Sequence, residues 1–210
     1  MQRGMIAGIL FLLTVILFLL YQRKKAGIKG ENAAALTFKG SATLCCTALA
    51  VYGAAMNQNT GFWFLAVGLF VCALADVLLG IHFLTGMGCF ALGHVFYCIG
   101  CISVASPTLA NALIFLILLL AILAILPWIR RHAGKRNVIP FIAYGVVLCG
   151  MLSLAMTQRP LLLSGAVLFV VSDGMLGYRI ATDNKSRRYD YLCLGCYYFA
   201  QFLIGLSTVF

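Results

Sequence analysis

Leu109-Ala-Asn-Ala-Leu-Ile-Phe-Leu-Ile-Leu-Leu-Leu-Ala-Ile-Leu-Ala-Ile-Leu-Pro-Trp-Ile129 runs through 21 residues without a charge. At a helical rise of about 1.5 Å per residue it covers about 31 Å, the thickness of a bilayer's hydrocarbon core. The rest of the chain shares the bias. Of its 210 residues 63% are hydrophobic and only 10% charged, against about 45–50% and about 25% in soluble domains. That excludes a soluble enzyme, a disordered tail and a disulfide-stapled secreted domain. The expectation is an all-α polytopic membrane bundle forming a single domain over residues 1–210.

Seven further apolar runs flank this one. The eight expected spans are about 4–21, 40–56, 61–82, 88–106, 109–129, 138–156, 160–180 and 190–210. Turn signals separate some: Asn57-Gln58-Asn59-Thr60-Gly61, Thr85-Gly86, Ser106-Pro107 and Gln158-Arg159-Pro160. Charged breaks at 22–39, 130–137 and 181–189 separate the rest. Span 1 does not read as a cleaved signal peptide, because its basic cluster Arg23-Lys24-Lys25 follows the apolar core.

Net charge is +10, yet the basic residues form no exposed nucleic-acid patch. They mark topology. Arg23, Lys24, Lys25, Lys29 and Lys39 follow span 1, and Arg130, Arg131, Lys135 and Arg136 follow span 5. Arg179, Lys185, Arg187 and Arg188 follow span 7, so thirteen of fifteen basic residues share one face, opposite Arg3 and Arg159. The positive-inside rule then places the basic loops in the cytoplasm and both termini outside. Small size and a bare C-terminus point to a bacterial inner membrane. Gly4-x-x-x-Gly8 is a small-residue motif of the kind that forms homodimer contacts, though it is common in any span.

Two stretches repeat. Gly68-Leu-Phe-Val-Cys-Ala-Leu-Ala-Asp76-Val-Leu-Leu-Gly80 lies in span 3 and Gly165-Ala-Val-Leu-Phe-Val-Val-Ser-Asp173-Gly-Met-Leu-Gly177 in span 7. The two spans run in the same direction, which suggests two parallel four-helix repeats. Chance likeness between apolar helices is the competing explanation.

A charge in the bilayer costs at least about 2.5–3.5 kcal/mol. Glu31, Asp183 and Asp190 fall in basic breaks and offset nearby cations. Asp76 and Asp173 fall inside apolar spans, each about 9–10 Å below the cytoplasmic boundary by helical rise. His94 and Tyr144 come at matching depth, Tyr198 and Gln201 deeper, and Lys39 at the mouth of span 2. One reading is a polar chamber; the other is that the aspartates bond a Tyr, a His or free backbone and glue the bundle. Tyr97 and Tyr197 read as packing. Most of the nine cysteines act as small hydrophobes inside spans. Cys98-Ile-Gly-Cys101 and Cys193-Leu-Gly-Cys196 lie at different depths, too far apart to share a zinc ion. No metal site and no cofactor motif is expected; P-loop, dinucleotide and Gly-x-Ser-x-Gly patterns do not occur.

The Ala75-Asp76 helix, Leu92-Gly93-His94-Val95-Phe96-Tyr97, Ser172-Asp173, Tyr198-Phe199-Ala200-Gln201 and Lys39 together resemble the YhhN family of membrane proteins. The resemblance covers nearly the whole chain; Asp173-Gly174 and the short hydrophilic tail depart from it. It implies lysoplasmalogenase activity: hydrolysis of the vinyl ether bond of a lysoplasmalogen, a lysophospholipid, to a fatty aldehyde and glycerophosphoethanolamine or glycerophosphocholine. Such chemistry suits two carboxyl groups. One donates a proton to the alkene carbon; the other stabilises the oxocarbenium ion and activates water, as in glycosidases. Asp76 and Asp173 are the expected catalytic pair, without a fixed division into acid and base because such pairs titrate together. Lys39, His94, Tyr144, Ser172, Tyr198 and Gln201 are the expected substrate-binding residues, with Lys39 on the phosphate. The alternatives are a proton-coupled lipid or small-molecule transporter using the same aspartates, a metal-dependent ester or amide lipid hydrolase, and a non-enzymatic scaffold.

Overall fold

The structure, a computed structural model, describes residues 2–25, 32–132, 138–183 and 186–210. Lys29, Glu31, Lys135, Arg136 and Lys185 of the basic breaks lie outside them. The described residues fold into α-helices. They are α1 Gln2–Lys25, α2 Ala33–Asn57, α3 Thr60–Ile81, α4 Phe83–Val104, α5 Leu109–His132, α6 Val138–Ala155, α7 Pro160–Ala181 and α8 Arg187–Leu206.

Local chemistry sets the helix starts. Asn32 accepts from the Ala35 amide at 2.8 Å and Asn59 from the Gly61 amide at 2.8 Å. His82 caps α4 through the Thr85 amide. Pro160 opens α7, where its missing N–H is no loss. The cap at Asn32 starts α2 at Ala33 rather than at residue 40, because Ala33-Ala34-Ala35 behind a good cap favour helix. Lys39 therefore lies within α2, not at its mouth, and is 4% exposed.

Among the described residues seven helices, α1 to α7, are long and apolar enough to cross a membrane. α8 is not: it carries Arg187, Arg188, Asp190 and Gln201, and it ends at Leu206 rather than 210. Its polarity faces inward, since Asp190, Tyr197, Tyr198 and Gln201 are all buried. The opposite extreme is α5. Leu109 is 75% exposed and Ile117 64%, and its one buried residue, Asn111, donates to the Ser153 carbonyl of α6 at 2.6 Å. Such a surface belongs against lipid.

Packing follows chain order: α1 on α2, α2 on α3, α3 on α4, α5 on α6, α6 on α7, α7 on α8. Across the middle α2 meets α8 and α4 meets α6. The glycines of the repeated motif fall at equivalent contacts. A Cβ at Gly68 would lie 2.5 Å from the Tyr97 ring and 2.9 Å from the Gly93 carbonyl of α4. One at Gly165 would lie 2.8 Å from Ile204 and 3.0 Å from the Ala200 carbonyl of α8. Each glycine brings its helix against the next. Gly4 and Gly8 face open space on α1.

The bundle's two ends differ. At one, Arg3 donates to the Val209 carbonyl at 3.3 Å and Asn57 to the Thr208 carbonyl at 2.8 Å. At the other, Lys25 of α1 pairs with Asp190 of α8 at 3.1 Å. α1 and α8 are thus antiparallel, and the basic residues collect where α1, α5 and α7 finish and α2 and α8 begin.

Candidate active site

A cavity of about 340 Å³ opens at this basic end. Phe83, Met87 and Phe90 of α4 with Phe141 of α6 make its apolar wall. Both intramembrane carboxyl groups, Asp76 on α3 and Asp173 on α7, line it. So do Lys39, Tyr144, Ser172 and Tyr197, and at the mouth Lys25, Arg179 and Asp190.

The two aspartates are held differently. Asp76 is 1% exposed. Its Oδ2 accepts from the Thr43 hydroxyl at 2.5 Å and from the Tyr197 hydroxyl at 2.9 Å. Behind Tyr197 the chain of donors continues: Gln201 Nε2 donates to the Tyr197 oxygen at 2.9 Å, and the Tyr97 hydroxyl donates to Gln201 Oε1 at 2.8 Å. Every proton in that series points toward Asp76. Asp173 is only partly buried and accepts from the Tyr144 hydroxyl. Its neighbour Ser172 donates instead to the Cys193 carbonyl at 3.0 Å, tying α7 to α8.

The expected site residues separate on this geometry. Asp76, Asp173, Lys39, Tyr144 and Ser172 meet at the cavity. Gln201 stands one shell back, reaching Asp76 through Tyr197. Tyr198 donates to the Lys39 carbonyl at 3.2 Å and so joins α8 to α2. His94 is fully buried behind the wall, its ring 4.5 Å from that of Phe169 and 5.6 Å from that of Tyr144. Its Nδ1 bonds the Phe90 carbonyl at 2.7 Å, and Nε2 has no partner among the described residues.

Sequence reasoning missed Thr43, Tyr97 and Tyr197 as hydrogen-bonding parts of the site, and Lys25, Arg179 and Asp190 as part of its lining. Of the CxxC pairs, Cys193 lines the cavity, whereas the Cys101 carbonyl accepts from Gln158 at the far end. Among the described residues no three His, Cys, Asp or Glu side chains converge on one point.

A multi-pass helical membrane protein with Asp76 and Asp173 lining a cavity at its basic end is the class that fold and site define. The YhhN family model matches residues 34–208, and the chain belongs to that family. It is 33% identical over 162 residues to lysoplasmalogenase TMEM86B from Homo sapiens, covering 73% of this chain and 67% of that one. No solved structure matches it.

Proposed function

We propose that the chain is a lysoplasmalogenase, an ether hydrolase that cleaves the vinyl ether of a lysophospholipid to a fatty aldehyde and a glycerophospho-alcohol. The observation that carries this is the convergence of Asp76 and Asp173 on one cavity with an apolar wall and a cationic mouth. The relative's name supports the same reaction.

The hydrogen bonding divides the labour. Asp76 Oδ2 receives two hydroxyl protons backed by Gln201 and Tyr97, an arrangement suited to a carboxylate. Asp173, more open to the cavity, is the acid. It protonates the alkene carbon remote from oxygen, leaving an oxocarbenium ion that Asp76 faces. Water adds to the cationic carbon and passes its proton to Asp76. The hemiacetal then collapses: its hydroxyl proton returns to Asp173, Asp76 gives its proton to the ether oxygen, and the C–O bond breaks. Both carboxyl groups end as they began. Tyr144 orients Asp173; Tyr197 and Gln201 orient Asp76; Ser172 and Tyr198 fix the α7–α8 and α2–α8 contacts around them. Lys39 meets the phosphate, and the unpartnered Nε2 of His94 offers a water an acceptor.

The site belongs to one domain of eight crossings, α8 included. An interior helix need not be apolar all round, and α8 with the turn after it runs from Asp190 at one end of the bundle to Thr208 at the other. Repeat symmetry draws support from paired features. The α2–α8 and α4–α6 contacts exchange under a four-helix shift, and Gly68 and Gly165 do the same work. Thr43 of α2 and Tyr144 of α6 each donate to the aspartate of the next helix. The basic end, and with it the cavity, faces the cytoplasm.

Purified protein given a 1-alkenyl lysophospholipid and its 1-acyl counterpart tests the reading. Aldehyde from the alkenyl lipid, abolished in Asp76→Asn and Asp173→Asn variants that still insert, is the expected result. Fatty acid from the acyl lipid would move the assignment to an ester hydrolase. Proton-coupled flux into proteoliposomes without product would move it to a transporter.

A further inference from the structure

At the cavity mouth one carboxylate is gripped by two cations. Lys25 Nζ donates to both oxygens of Asp190, at 3.2 and 3.1 Å, and Arg179 donates to Oδ1. Gln22 Nε2 lies 3.5 Å from Oδ2. The Asp190 side chain is 6% exposed, while those of Lys25 and Arg179 are each 26% exposed. The carboxylate is therefore closed off and the cations keep a face on the cavity they line. Lys39 completes the group: its Nζ stands 5.9 Å from the Tyr21 ring, and Lys25 Nζ stands 5.4 Å from the same ring. A structural staple joining α1, α7 and α8 uses Lys25 and Arg179 on Asp190; it does not call for a third cation, Lys39, lining the same opening.

Charge counting points to the occupant. Among the described residues three cations (Lys25, Lys39, Arg179) and three carboxyl groups (Asp76, Asp173, Asp190) line the cavity. Lys25, Arg179 and Lys39 thus bring three cationic groups to one opening. A phosphodiester carries one negative charge. Distance agrees. Arg179 is six residues beyond Asp173, about 9 Å along α7. Six bonds separate a vinyl ether carbon from the phosphorus of a lysophospholipid, about 7 Å when extended, taking three bonds as about 3.5 Å. The long, flexible Arg179 side chain can cover the difference.

We infer that Lys25, Arg179 and Lys39 form a binding site for the phosphodiester of a single-chain lipid, with Asp190 as the internal counter-ion that holds the first two in place until the phosphate shares them. The site rests on the vinyl ether reading for its substrate, and deepens it: the enzyme selects the charged phosphodiester and is indifferent to the alcohol beyond it. Ethanolamine and choline lipids then react alike, and an alkenyl glycerol without phosphate reacts poorly.

The test compares 1-alkenyl-glycerophosphocholine with 1-alkenylglycerol on wild type, Arg179→Ala, Lys25→Ala and Arg179→Lys. Wild type prefers the phospholipid in kcat/KM by at least about tenfold, the size of one charge-assisted hydrogen bond. In both alanine variants that preference collapses, mainly through KM, and Arg179→Lys restores part of it. Equal use of both lipids by wild type, or an unchanged preference in the alanine variants, overturns the site. Binding is read separately by the thermal shift that a non-cleavable 1-alkyl-glycerophosphocholine produces. Stabilisation of wild type but not of Arg179→Ala, with no effect of 1-alkylglycerol, upholds the site even where no vinyl ether is cleaved. That outcome would sink the vinyl ether reading alone. Equal stabilisation by both alkyl lipids overturns the site while leaving aldehyde release untouched.

Discussion

At Asp76 a buried carboxyl group is reached by a series of donors that all face one way, and the polarity of that series is what distinguishes it from Asp173. Removing the Tyr197 hydroxyl takes a donor from Asp76 Oδ2 and disconnects Gln201. A hydrogen bond to a charged group is worth about 1.5–3 kcal/mol. Tyr197→Phe should therefore lower kcat for aldehyde release by about tenfold to a hundredfold with KM little changed, as steady-state assays would read. A raised KM with kcat intact would make Tyr197 a wall of the cavity and nothing more. Tyr144→Phe acts on the other carboxyl and should lower kcat by a similar factor. The aspartates themselves were legible in the sequence, because a lone acid in an apolar run has no cheap explanation. Thr43 and Tyr197 were not, because a hydroxyl costs little in a helix and its direction depends on a packing angle no single sequence carries. Lys25, Arg179 and Asp190 looked like loop charges for a related reason: a topology signal and a binding residue use the same side chains.

Helix by helix, apolar runs located every element, and the errors have physical causes. α2 began a turn and more early behind the Asn32 cap, where an alanine run in a charged break outweighed the charges. α8 lacked the composition of a span because the protein, rather than lipid, surrounds much of it. The repeated Gly-x7-Asp pattern was visible, but what the glycine does was not. A methyl group at Gly68 would stand 2.5 Å from the Tyr97 ring and 2.9 Å from the Gly93 carbonyl. Overpacking of this kind costs about 1–3 kcal/mol, and it displaces the tyrosine that begins the donor series to Asp76. Gly68→Ala should lower the thermal midpoint in detergent and lower kcat with it. Gly174, beside Asp173, has nothing within 4 Å of its would-be Cβ. Gly174→Ala should hold or raise the midpoint, since alanine favours helix by about 0.8–1.0 kcal/mol over glycine. If both substitutions shift the midpoint alike, the α3–α4 contact is not as close as described.

Taken whole, the molecule divides its site between its halves. Asp76 stands on α3, but its tyrosine and glutamine come from α8; Asp173 stands on α7, and the cavity wall opposite it is α4. The chain thus builds one cavity from both parts of its sequence: Thr43 and Tyr144 each donate to the aspartate of the following helix, while Tyr197 reaches Asp76 from α8. The connection between the halves is slight: Ser106 and Pro107 lie between α4 and α5, and α5 touches the rest mainly through α6. Cutting there breaks no buried helix. Residues 1–106 and 107–210 produced together should assemble through the α2–α8 and α4–α6 contacts and release aldehyde from a 1-alkenyl lysophospholipid. Either half alone should release none, although each still inserts. Activity in residues 1–106 alone would place the whole reaction on Asp76 and remove Asp173 as the acid. Failure of the paired halves to associate would mean that the covalent link, rather than the contacts between the halves, holds the bundle together.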